Sequence, residues 1–255
     1  MKILIASVVL ILSLSVGFGD NVSSRFKSPA GYHPIESSSN GFGTWLGSLS
    51  LKPAGTHTKT YRGDIARTDD YTAAVIDMSV GKQDLQQCAD AVMRLRAEYL
   101  YHQKQYNVIA FNFTSGFRCD YVHYANGYRY INNKWVLKAT QDYTYPVFMR
   151  YMNLVFSYAG TLSLEKELVR VSMANELKAG NVFIHGGSPG HCFIVLDVVE
   201  NANHDKKFLL AQSFMPAQDI QVLQQDGNAW FSLTQPANIP YGDLINLKYL
   251  RRFKD

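Results

Sequence analysis

Residues 177–199 read LKAGNVFIHGGSPGHCFIVLDVV. A short apolar run, a glycine-rich turn, a histidine and a longer β-branched run follow one another. The pattern predicts two strands joined by a turn, because Val, Ile and Phe suit a pleated, half-buried surface and Gly and Pro punctuate it. His191 then stands at the mouth of a sheet, held by strand backbone. An imidazole so placed takes a proton readily, since its ordinary pKa lies near physiological pH. Beyond the strand, ENANHDK (200–206) reads as a turn and KFLLAQ (207–212) as a returning strand. That return brings Gln212 back beside His191. A side-chain amide there accepts an imidazole N–H and fixes the ring, the third role in nucleophile–base–orienter systems. Whether the two residues share a face depends on register, which a one-residue slip reverses.

The candidate nucleophile is Cys88, in DLQQCADAVMRLRAEYL (84–100). Leu85, Cys88, Ala89, Val92, Leu95 and Tyr99 recur at helical spacing and predict a helix over Asp84–Tyr101, with Arg94, Arg96 and Glu98 among its polar positions. Free N–H groups and the dipole at a helix start stabilise a thiolate and a developing oxyanion. A small core residue is the other reading of Cys88, because it also lies on the apolar stripe. Two rivals fare worse. Gly186–Gly190 matches G-x-S-x-G, but a strand follows where that motif needs a helix, and Pro189 lacks the required N–H. His185, His191, Cys192, Asp197, His204 and Asp205 lie close in sequence without i,i+4 or C-x-x-C spacing, so no metal is expected. Phosphate-loop, dinucleotide and calcium-loop signatures are absent, and no cofactor is expected.

The ends and the composition bound the rest. Met1-Lys2 and an apolar stretch to Gly19 predict a cleaved signal peptide over 1–19, hence export to the periplasm or beyond. No later apolar run approaches a membrane span. A net charge of +4 with scattered basic residues argues against a nucleic-acid partner. Three cysteines form no disulfide framework, and Cys119 in FRCDY reads as core or disulfide partner. Further helices are expected at Phe42–Leu51, Tyr145–Tyr158 and Leu162–Val171, and strands at Thr72–Met78, Asn181–Ile184, Cys192–Val199, Lys207–Ala211 and Ile220–Leu223. Residues 106–145, aromatic and turn-rich, read as strand and loop. The economical organisation is one α+β domain over 20–255, with core motifs near 80–101 and 177–223.

The same motifs carry a resemblance. LKAGNVFIHGGSPGHCFIVLDV resembles the histidine segment of NlpC-type cysteine peptidases, a bacterial branch of the papain-like superfamily. His191 matches the general base at a strand start, Gln212 in FLLAQSFMP the third polar residue, and Cys88 in QQCADAVMRL the helix-opening nucleophile. The resemblance implies a papain-like core, one helix on an antiparallel sheet with the site between them, and a peptide or amide substrate such as a cell-wall peptide. This sequence departs from the pattern at Gln87, Ala89-Asp90 and Asn181. It also separates Cys88 from His191 widely, which makes 102–176 a large aromatic insertion that would wall the groove. Over its whole length the chain resembles a family of exported bacterial proteins of unknown function, through DLQQCADAVMRLRAEYLY, YAGTLSLEKEL, GGSPGHCFIVLDV and LLAQSFMPAQDI. An altered set of this kind also fits a papain-like scaffold that binds without catalysing.

Overall fold

The computed structural model describes residues 20–35 and 41–254. The expected signal peptide lies outside them. In chain order the helices are α1 (Val22–Arg25), α2 (Phe42–Gly47), α3 (Cys88–His102), α4 (Tyr121–Ala125), α5 (Tyr145–Tyr158) and α6 (Thr161–Glu167). The strands are β1 (Tyr32–Pro34), β2 (Thr72–Val75), β3 (Ala110–Asn112), β4 (Arg118–Asp120), β5 (Tyr128–Ile131), β6 (Lys134–Leu137), β7 (Val169–Arg170), β8 (Val182–His185), β9 (His191–Asn201), β10 (Lys206–Gln212), β11 (Gln221–Leu223) and β12 (Leu250–Arg252). The fold is α+β. No helix among the described residues is long and apolar enough to cross a membrane.

One antiparallel sheet organises the molecule, in the order β2-β11-β10-β9-β8-β12-β7, with β1 paired to the far end of β9. Strand alternation divides its side chains between two cores. Cys192, Ile194 and Leu196 of β9 join Leu209 and Ala211 of β10 on the helix side. Phe193, Val195 and Val198 join Phe208 and Leu210 against the C-terminal segment, including Phe231, Ile239 and Leu244.

The resemblance implies one helix on the sheet, but the observed layer is thicker. α3 meets β9 and β10, while α5 and α6 pack on α3 in turn. This encloses α3 on nearly every side, and Arg94 and Glu98, expected as polar positions, are buried. They survive burial by pairing. Arg94 Nε donates to Glu98 Oε1 at 3.4 Å, its Nη1 donates to Ser79 O at 2.6 Å, and Tyr145 OH of α5 donates to Glu98 Oε1 at 2.7 Å. Residues 106–145, read as strand and loop, form two small hairpins, β3–β4 and β5–β6, with the helix α4 between them. The aromatic side chains of 102–176, Tyr121, Phe148 and Tyr151 among them, fill the same core as α3 and the helix side of the sheet.

Several expected boundaries move, three of them with a clear physical cause or a new pairing. α3 starts at Cys88 and not Asp84, because Asp90 Oδ2 accepts the Gln87 N–H at 3.0 Å and caps the helix there. α2 ends at Gly47, which leaves Leu51 to bridge Ile76. α6 ends at Glu167, and Val169–Arg170 pairs with β12 as a strand.

Candidate active site

The three residues singled out from sequence converge. His191 opens β9, opposite His185 of β8. The connecting turn is packed tightly against the start of α6. A Cβ on Gly190 would collide with Thr161 Oγ1 and come within 2.6 Å of Gly187 O. Only a residue without a side chain fits directly before His191.

Gln212 reaches the His191 face through a β-bulge. β10 pairs with β9 residue for residue from Lys206↔Glu200 to Leu209↔Asp197, then Leu210 faces Val195 and Ala211 faces Ile194. Leu196 is skipped. In the unbulged register Gln212 would oppose Ile194 and point at the helices. The bulge sets it opposite Phe193, on the same side as His191. Gln212 Oε1 lies 2.7 Å from His191 Nε2, and both side chains are buried. An amide oxygen only accepts, so Nε2 carries the proton and Nδ1 is the nitrogen left for a partner.

That partner is Cys88. The Cys192 and His191 side chains draw its thiol down to about 5. The Cys192 hydrogen bond is the largest influence. Burial opposes it, and the His191 ring and the Ala89 N–H at the helix start add to it. Cys192 shifts the opposite way: its complete enclosure and the neighbouring Cys88 hold its thiol well above the ordinary range. It is therefore a neutral S–H donor to a thiolate. Asp90, two residues along the helix, is also pushed well up by burial and by Cys88.

Two tethers hold the α3 start against the end of β10. Ser213 Oγ donates to Gln86 O at 2.9 Å, with Gln218 O a second acceptor at 2.8 Å, and Asp84 Oδ1 accepts the Ala217 N–H at 2.7 Å. The residue after Gln212 thus fixes the residues before Cys88. Ser213 escaped the sequence reading, which weighed Cys192 only as a metal ligand or disulfide partner. The signal for Cys192 was its place after His191, which turns it toward the helix carrying Cys88.

The set is closed over. Cys88 is 7% exposed and His191 is 1% exposed. Tyr241 stacks on the His191 ring with centroids 4.6 Å apart and planes at 21°, and Phe214 packs beside it at 5.2 Å. Two cavities lie elsewhere along α3. One, of about 670 Å³, has Arg94 and Glu98 on one wall and Tyr145 and Met149 of α5 on the other. The second, of about 1120 Å³, runs between α2 and the C-terminal strand. Cys88, His191 and Gln212 line neither. The aromatic insertion walls a cavity on another face of α3.

The other candidates separate. Cys119 is buried on β4, and burial with neighbouring Asp120 pushes its thiol up. No group of three His, Cys, Asp or Glu among the described residues is arranged to hold a metal ion. His204 leans on Glu200, and Asp205 accepts from Asn201.

Comparison with curated proteins and with solved structures found no match to this chain. A family model does match, over residues 22–243, which include Cys88, His191 and Gln212. The chain belongs to the family described as Domain of unknown function (4846).

Proposed function

We propose that this protein is an exported cysteine hydrolase with a papain-like core, acting on an amide such as a cell-wall peptide in the periplasm or outside the cell. The observation that carries the reading is the convergence of a helix-opening thiol, lowered to about 5, with an imidazole whose far nitrogen is held by Gln212. Cys88 Sγ attacks the amide carbonyl carbon, and its proton resides on His191. The N–H groups of the first turn of α3 receive the oxyanion. His191 returns the proton to the leaving nitrogen, the C–N bond breaks and a thioester remains. Water, deprotonated by His191, attacks the thioester and releases the acid. Gln212 keeps the ring aimed at Cys88 throughout. Cell-wall peptides enter through the NlpC resemblance alone.

One observation favours a second reading, a papain-like binding module without catalysis: the ring of Tyr241 lies flat on His191. Incubating purified protein with muropeptides and following new amines by mass spectrometry separates the two. Turnover by the wild type that is lost in Cys88→Ala supports the hydrolase. No turnover, with Cys88 still labelled by a thiol reagent, supports the binding module.

A further inference from the structure

The hydrolytic scheme leaves one thiol of the site unused. Cys192 follows His191 in β9, and alternation turns its side chain to the helix side of the sheet, into the same core cluster as Cys88. There Ser213, just beyond β10, donates to Gln86 O at 2.9 Å and holds the start of α3 against this end of the sheet, and each thiol shifts the other. A disulfide needs two cysteines held close and turned toward each other. Cys119, on β4, belongs to a different hairpin.

The two thiols differ in access. Cys88 is 7% exposed and Cys192 is fully buried. A small oxidant therefore meets Cys88 first, and Cys192 reacts only with what forms on Cys88. We propose that Cys88 and Cys192 are a hydroperoxide-responsive dithiol, in which oxidation of Cys88 is captured by Cys192 as a reversible disulfide that removes the nucleophile.

The chemistry closes in two steps. The Cys88 thiolate attacks the terminal oxygen of a hydroperoxide. The O–O bond breaks, an S–O bond forms, and the departing alkoxide or hydroxide leaves as alcohol or water after taking a proton. Cys88 is now a sulfenic acid, oxidised by two electrons while the peroxide is reduced by two. The Cys192 sulfur then attacks the Cys88 sulfur, the S–O bond breaks, and the hydroxyl leaves as water with the Cys192 proton. A thiol-disulfide reductant reverses the result. With Cys192 absent, the sulfenic acid continues to the irreversible sulfinic acid.

This deepens the hydrolase reading, because the lock matters to turnover only where Cys88 is the nucleophile. Its test nevertheless reads mass and not hydrolysis. The reduced full chain is treated with hydrogen peroxide, quenched with an alkylating reagent, and mapped by intact mass and peptide mass. Wild type is expected to lose two hydrogens, to join the Cys88 and Cys192 peptides, and to recover both thiols with dithiothreitol. Cys119→Ser is expected to do the same. Cys192→Ser is expected to gain two oxygens at Cys88 and not to recover. Sulfinic acid at Cys88 of the wild type, or a crosslink to Cys119, would overturn the proposal. Should Cys192→Ser fail to fold, the peptide maps of wild type and Cys119→Ser decide it alone. Disulfide formation in a protein that cleaves no amide supports the dithiol and removes the hydrolase.

Discussion

Cys88 and Cys119 lie in one continuous core, both buried, and their thiols are driven in opposite directions. At Cys119, on the β3–β4 hairpin, burial acts almost alone and favours the neutral thiol. At Cys88 burial acts in the same sense but loses, because a helix start, an S–H donor and an imidazole all address one sulfur. Burial alone therefore does not distinguish an inert cysteine from a reactive one. What distinguishes them is which donors the backbone brings to the sulfur. The surroundings differ accordingly: the hairpin region is held by packed aromatic rings such as Tyr121 and Tyr151, tilted at 58° to each other, and the α3 start by short polar tethers from Ser213 and Asp84.

The contrast breaks most directly in thiol labelling. At pH 7 a thiol near 5 is almost wholly thiolate and an ordinary one only about 1% so. Cys88→Ala is therefore expected to slow iodoacetamide labelling of the folded protein by roughly a hundredfold, and Cys119→Ala to leave it unchanged. Equal rates in the two variants would erase the distinction. Gly190→Ala comes next. Its Cβ meets backbone and Thr161, at a cost of about 1–3 kcal/mol. A lowered melting temperature together with slower labelling is expected, and an unchanged melting temperature would mean the turn relaxes freely. Gln212→Ala leaves a buried imidazole N–H without its acceptor, worth about 1–3 kcal/mol in denaturant unfolding. The smallest effect sharpens the comparison. The Cys88 thiol ionises as pH rises through about 5, so labelling should be flat near neutrality and fall as pH drops through that value. Cys192→Ala removes the largest support of the thiolate, so the fall should move to higher pH. A midpoint that stays where it was would show that Cys192 does not donate.

Much of the sheet was legible, because β8, β9 and β10 carry β-branched runs bounded by turn residues, and that pattern depends only on local sequence. Cys88, His191 and Gln212 were legible for the same reason, each marking the end of an element. The closed state of the site was not, since Tyr241 and Phe214 approach His191 from chain segments with no periodic signal. The charged residues of α3 misled for a related reason. Arg94 and Glu98 look solvated along a helix until α5, some fifty residues on, covers them. Cys192 was weighed only as a metal ligand or disulfide partner, because its meaning depends on what packs across from it.

The skipped residue Leu196 has a consequence for how this arrangement can be altered. Along paired strands, facing is a matter of odd and even. The path from His191 out through the 202–205 turn and back to Gln212 returns the amide to the imidazole only because the count along it is off by one from a regular hairpin. A substitution at Leu196 changes a packing contact. A single-residue insertion or deletion between 191 and 212 that the sheet absorbs by sliding instead turns Gln212 to the opposite side, with every named residue intact. The partnership of His191 and Gln212 is thus written in spacing as much as in side chains. A chain could keep all the letters of the site and lose it by one.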